Sequence, residues 1–217
     1  MTTTTKLRQI LTVANIQTQN VTRINFKNEW YQAFGNPQDK GVWFVWGSSG
    51  SGKSAFVMML AKQNAESYKT LYNVLEESTD DSDYIERTVL FNMNEVEDKF
   101  YAIDYNYEEL MQYIVKRNRP KVLIIDSITY LIKTWEQYIA LKKLCMKHEM
   151  IMIIVGHAEG KHPKTQLEKD IRFDAKMKIF ISGYLATCQG RTIGPNGGQF
   201  IIWKEGYDKI NGATVSI

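Results

Sequence analysis

Only two cysteines, Cys145 and Cys188, occur in the 217 residues, too few for a disulfide scaffold and in keeping with a reducing compartment. No apolar stretch reaches the roughly 20 residues that a membrane-spanning helix needs. The N-terminal run MTTTTKLRQILTVANIQ lacks the basic start, long apolar segment and small-residue cleavage site of a signal peptide. These absences lead to the expectation of a soluble protein of the cytoplasm, the host cytoplasm if the chain is viral. Neither sign of charge dominates. The 27 basic and 24 acidic side chains leave a net +3, too small an excess to argue for a nucleic-acid partner by itself, so any basic surface must be local. No internal repeat and no interdomain linker interrupts the chain. With 44% hydrophobic and 24% charged residues, it reads as one globular domain long enough to bury a full core.

Residues 1–25 read as an N-terminal arm, rich in Thr, Gln and Asn over its first twenty positions, and 26–217 as the domain. The apolar spacing of FKNEWYQAF suits a short helix over 26–34, ended by Gly35, Asn36 and Pro37. Strands are expected at 42–46, 70–75, 99–103, 121–126 and 151–156, and helices from Lys53, over 83–92, 107–118 and 133–148. KVLIID and IMIIVG are continuous apolar runs, the mark of strands buried on both faces. Residues 157–172 read as a polar, basic loop, and from 176 onward KMKIFI, YLATC and QFIIWKE read as hairpin-forming strands around the turn GPNGG. Strands alternating with helices predict an α/β fold: a three-layer parallel sheet with a small antiparallel extension at the C-terminus.

Behind the apolar run GVWFVW stands GSSGSGKS, residues 47–54, which matches G-x-x-x-x-G-K-[ST] between a predicted strand and a predicted helix. Glycines at 47, 50 and 52 let the backbone turn its N–H groups inward on an anion, and the helix N-terminus adds partial positive charge. Thus Gly47, Ser48, Ser49, Gly50, Ser51, Gly52, Lys53 and Ser54 are the expected phosphate cradle, with Lys53 on the β- and γ-phosphates and the Ser54 hydroxyl on Mg²⁺. Asp126 closes KVLIID at the end of a buried strand, where open α/β sheets bind ligands, and is the second expected Mg²⁺ ligand; a helix N-cap is the plain alternative. The absence of an N-K-x-D stretch argues against guanine, which leaves ATP. Hydrolysis needs a group that deprotonates water, and Glu76 and Glu77 follow the strand TLYNVL where a carboxylate would point at the γ-phosphate.

The order GSSGSGKS, LYNVLEES, KVLIIDS, IIVGH and QGRTIGPNGG resembles the RecA-like P-loop ATPases, especially the RadA- and DnaB-type cores, over roughly residues 40–205. It is also similar to small RecA-core ATPases of bacteriophages, some of which act in single-strand annealing. The resemblance implies that Glu76 is the catalytic base, with Glu77 as the fallback. It puts His157 at a sensor linking γ-phosphate state to a DNA-facing loop, and Arg191 at an arginine that reaches a neighbouring subunit's γ-phosphate. Gln189 stands where the family has a lysine, so one cationic contact is missing. An arginine acting in trans implies a homo-oligomer, ring or filament.

The segment after His157 contains Lys161 and Lys164, which offer phosphate contacts to single-stranded DNA, although Glu159, Glu168 and Asp170 are interleaved with them. Tyr130 and Trp135 offer base stacking, but Trp135 and Tyr138 also fit the buried face of a helix. Cys145, His148, His157 and His162 suggest a zinc set only weakly, because Cys145 sits on a predicted apolar helix without a second cysteine nearby. The expected function is a Mg²⁺-dependent, oligomeric ATPase acting on single-stranded DNA in recombination, annealing or replication. The alternatives are an ATP-switched assembly or packaging factor without DNA, and a small-molecule kinase using the same loop.

Overall fold

The structure, a computed structural model that describes residues 9–212, is organised around strands with no polar side. GVWFVWG forms β1 (Gly41–Gly47), buried along its whole length. Alternate residues point to opposite faces, so Trp43 and Val45 join one apolar cluster while Val42, Phe44 and Trp46 join the other. Each of these side chains contributes about 1.5–3 kcal/mol by leaving water. Further along the chain come β2 (Thr70–Val74), β3 (Phe100–Ile103), β4 (Val122–Asp126), β5 (Ile151–Glu159), the two-residue β6 (His162–Pro163), β7 (Met177–Ser182), β8 (Leu185–Cys188) and β9 (Gln199–Ile201). The sheet order is β3-β2-β4-β5-β1-β7-β8-β9, with β6 paired to the end of β5. From β3 to β7 every pairing is parallel, and β8 and β9 add an antiparallel extension.

Helices α1 (Val13–Gln17), α2 (Asn28–Phe34), α3 (Lys53–Ala65), α4 (Ser82–Leu90), α5 (Tyr107–Ile114), α6 (Ile128–Leu131), α7 (Trp135–Lys147), α8 (Gln166–Asp174) and α9 (Lys204–Asn211) complete the fold. α2, α3 and α4 place side chains in the cluster on one face, and α5 to α8 in the cluster on the other. The three-layer α/β fold expected from the sequence is therefore present, antiparallel extension included. Reciprocal capping boxes start α5 (Asn106 with Glu109), α7 (Thr134 with Gln137) and α8 (Thr165 with Glu168). Ahead of the domain, α1 buries no side chain, whereas Ile24 and Phe26 are buried and the Ile24 N–H donates to the Pro37 carbonyl at 2.8 Å.

Two stretches differ from the sequence reading. Residues 157–172 are not a loop: β5 runs on to Glu159, turns through Gly160 at φ +62° into β6, and leads to α8. The charged residues of QLEKDIRFD conceal a narrow apolar stripe in which Ile171 is buried and Leu167 packs against the core. The second difference is that QFIIWKE is strand only to Ile201, after which Lys204–Asn211 form α9. Phe200 explains why the short β9 is fixed: its ring lies 4.5 Å from Trp30, 5.8 Å from Phe56 and 6.0 Å from Phe34, tying the extension to α2 and α3.

Candidate nucleotide-binding site

The chain leaves β1 at Gly47 and enters α3 at Lys53 through a loop that only glycine accommodates at two points. A Cβ on Gly47 would stand 2.6 Å from the Ile181 carbonyl oxygen, and Gly52 adopts φ +95°. Inside the loop the Ser51 hydroxyl donates to the Ser48 carbonyl at 2.7 Å, and the Tyr184 N–H donates to the Ser51 carbonyl at 3.1 Å, which fastens the loop to the β7–β8 turn. The first N–H groups of α3 have no partner within the helix and face the cavity that follows. That cavity, about 370 Å³, is lined by the loop and by Lys53, Ser54, Glu76, Glu77, Asp126 and Tyr184. Lys53 is 8% exposed, and among the described residues no carboxylate forms an ion pair with it.

Asp126 ends β4 at the cavity floor, and Tyr72 on the neighbouring β2 donates its hydroxyl to Asp126 Oδ2 at 2.5 Å. Burial pushes the Asp126 carboxyl above the usual carboxylate range; the Tyr72 hydrogen bond and the Lys53 charge oppose that shift, while Glu76 and Glu77 add to it. Burial likewise drives Tyr72 well above the ordinary phenol range, with Asp126 as the next cause, so it stays a neutral donor. The Leu75 and Glu76 N–H groups donate to the Asp126 carbonyl at 2.7 and 3.2 Å, which carries the chain from β2 across the top of β4. Glu77 accepts two bonds from Arg87 on α4, at 2.7 and 3.0 Å, and this contact is the main reason the Arg87 guanidinium is held above its ordinary range. Glu76 instead lies 3.5 Å from His157 Nε2, and that nitrogen is 3.3 Å from the Ser127 hydroxyl.

The structure thus brings Lys53, Ser54, Glu76, Glu77 and Asp126 around one cavity and joins His157 to them through Glu76. Lys161 and Lys164 are exposed on the β5–β6 hairpin, and the Lys164 N–H donates to the His157 carbonyl at 3.0 Å. Arg191 is elsewhere. It follows β8, and its N–H donates to the Lys176 carbonyl, next to the start of β7. This places it a strand's length, about 20 Å, from the phosphate loop of its own chain. Tyr138 is fully buried on α7, whereas Trp135 and Tyr130 are exposed.

Three residues at the site escaped the sequence reading. Tyr72 and Arg87 lie at ordinary strand and helix positions, and only the fold puts them beside Asp126 and Glu77. Tyr184, at φ +59° in the β7–β8 turn, lines the cavity and meets Trp203 edge to face at 4.9 Å. Its one sequence signal is the small-residue turn Ser182-Gly183 before it. The site fits a triphosphate with Mg²⁺: a glycine cradle, a buried ammonium with no ion pair among the described residues, and hydroxyl and carboxylate oxygens of the hard type that Mg²⁺ takes.

Residues 36–162, more than half of the chain, match the AAA domain family. The chain belongs to the AAA domain family. Among solved structures, this AAA domain protein is similar to the flagellar accessory protein FlaH of Methanocaldococcus jannaschii, with TM-score 0.58 and 17% identity over 82% of this chain and 91% of that one. It is also similar to a KaiC-like protein of Pyrococcus horikoshii, with TM-score 0.62 and 20% identity over 82% of this chain and 98% of that one. At these identities the likeness is one of fold, and it agrees with the RecA-like P-loop ATPase core read from the motifs. No curated protein matches the AAA domain chain.

Proposed function

We propose that this chain is a Mg²⁺-dependent ATPase that assembles head to tail and acts on single-stranded DNA in recombination, annealing or replication. The observation that carries the reading is the convergence of Lys53, Ser54, Glu76 and Asp126 on one cavity below the phosphate loop. In this reading the loop amides and Lys53 hold the β- and γ-phosphates. Ser54 and Asp126 hold Mg²⁺, which when bound offsets phosphate charge. Glu76 takes a proton from water as the water oxygen bonds to the γ-phosphorus and the bond to the β–γ bridging oxygen breaks, releasing ADP and phosphate. Glu76 is preferred to Glu77 because Arg87 already engages both oxygens of Glu77. His157, within reach of Glu76 and bonded through its carbonyl to Lys164, is the connection from the γ-phosphate to the hairpin that carries Lys161 and Lys164. Arg191, too far from its own loop, serves the nucleotide of the next copy. The arm, residues 1–25, is proposed as a separate segment that is fastened to the domain at its end, where Arg23 bridges to Gln38 and Ile24 enters the core. The cytoplasm is proposed as the site of action; among the described residues no helix is long and apolar enough to cross a membrane.

The test is an ATPase assay with and without single-stranded DNA across a salt series. Activity is expected to need Mg²⁺, to rise with DNA, to lose that rise as salt weakens phosphate contacts, and to vanish in Lys53→Ala. Equal rates with and without DNA would remove the DNA part of the reading. A second reading, an ATP-switched assembly factor without DNA, draws on the exposed apolar side chains Ile10, Leu11, Val13 and Ile16 at the start of the described chain. It predicts that a non-hydrolysable ATP analogue alone, without DNA, enlarges the particle on sizing.

A further inference from the structure

At the end of the sheet opposite the phosphate loop, a second cavity of about 220 Å³ opens where β1 and β7 begin. Four cationic side chains line it: Arg23, Lys40, Lys176 and Arg191. The nearby carboxylates are mostly engaged elsewhere: Asp170 and Asp174 line an adjoining cavity with Arg191, and Asp174 is paired with Lys142 at 2.6 Å. Lys40 pairs with Glu149 at 2.7 Å, but Lys176 donates to the neutral Gln38 amide oxygen at 3.0 Å and Arg23 to the Asn36 carbonyl at 3.1 Å. The nearby Asp39 is engaged by Lys121 at 3.1 Å. The position of Lys176 is built into the backbone. Its stem crosses Gly41, at φ +128°, so closely that a Cβ there would stand 2.9 Å from Lys176 Cδ. Crowding agrees with this layout: burial, then Lys40, Arg191 and Lys142, hold Lys176 below the ordinary lysine range. The buried Trp43 and Met177 form part of the wall.

We propose that this cavity is a second anion site of the chain, taking the polyphosphate tail of a nucleotide. Four cations around so small a space match a tail with several charges on adjacent phosphorus atoms. A nucleic-acid strand spreads one charge per phosphodiester, about 3.4 Å apart along the axis even in a duplex, and suits an extended groove better. Nor does the wall offer an exposed aromatic face for a base, since Trp43 is 1% exposed. The site also bears on Gln189, which stands where the resemblance expects a lysine: Lys176, bonded through its carbonyl to the Arg191 N–H, supplies a cation beside Arg191 instead.

The tail has two sources, a free nucleotide or a nucleotide held in the phosphate loop of a second copy; the latter rests on the assembly proposed above. Inorganic tripolyphosphate is the probe for the first, titrated calorimetrically into Lys53→Ala, which disables the phosphate loop. One tripolyphosphate per chain, weakened about tenfold by adding Lys176→Gln, is the result expected of a free ligand. For the second source, the wild-type chain with a non-hydrolysable ATP analogue is sedimented beside Lys176→Gln. An assembly that forms in the first and not in the second, both binding the analogue equally at the phosphate loop, assigns the tail to a neighbouring copy. The proposal is overturned if Lys176→Gln alters neither tripolyphosphate binding nor nucleotide-dependent assembly. Failure of the phosphate-loop reading would show separately, as analogue binding unaffected by Lys53→Ala.

Discussion

Glu76 and Glu77 are neighbours in sequence, yet one is clamped by a guanidinium and the other meets only an imidazole. Their substitutions are therefore expected to diverge. Glu76→Gln should keep nucleotide binding and lose about 10²- to 10⁴-fold in turnover, read by single-turnover hydrolysis beside a binding titration. Glu77→Gln should change turnover much less and lower stability by about 1–3 kcal/mol in urea melts, because Arg87 is left half-buried without its carboxylate. At Asp126 the cost falls on the nucleotide-free chain, where a carboxylate is buried under opposing influences. Asp126→Asn retains an oxygen for the Tyr72 hydroxyl and removes the charge. Calorimetry should find the melting temperature of the nucleotide-free chain raised by about 2–4 °C, the shift that ~1 kcal/mol makes at this size, while the Mg²⁺ requirement for nucleotide binding is lost. That Lys53, Ser54 and Asp126 would meet at one cavity was legible in the sequence, because a phosphate-loop motif and an acid-ended buried strand restrict both residue type and spacing. Tyr72 was not, since a tyrosine at a strand position carries no mark of the partner that the register of β2 on β4 will give it.

Among the elements, α8 shows how one buried carboxylate organises its surroundings. Glu168, 1% exposed, accepts from the His157 N–H at 2.9 Å and from the Thr165 N–H at 2.7 Å and hydroxyl at 2.9 Å. It fills the space beside Gly156, where a Cβ would come within 2.8 Å of its oxygen. The end of β5 and the start of α8 are thus fixed by the same group. Thr165→Ala removes the cap and, with the hydroxyl, one of the three donors to Glu168; a loss of about 1–2 kcal/mol in chemical denaturation is the expected outcome, with a smaller loss in Thr165→Ser. The helix was hidden in the sequence because its apolar face is so narrow, although Thr165-Gln-Leu-Glu168 carries the capping-box spacing that would have revealed it. The buried strands β1, β4 and β5 were plain by contrast: on a sheet covered on both faces, their inner stretches are continuous apolar runs.

The whole molecule keeps its two proposed anion sites at opposite ends of the same parallel strands, and chain order alone could not place Arg191 there. That required the antiparallel turn from β7 to β8, which brings residue 191 back to the beginning of β7. The C-terminal extension is joined to the body by Phe200 among Trp30, Phe34 and Phe56, so it moves as part of the domain rather than as an appendage. Its last helix brings Trp203 against Tyr184, with Gly206 leaving the room that their packing needs. Because Tyr184 forms a wall of the phosphate-loop cavity and Trp203 is 45% exposed, the chain carries an intrinsic fluorophore one ring away from the nucleotide. Titrating ATP should alter tryptophan emission in the native chain and leave it unaltered in Trp203→Phe, giving an affinity readout that needs no dye.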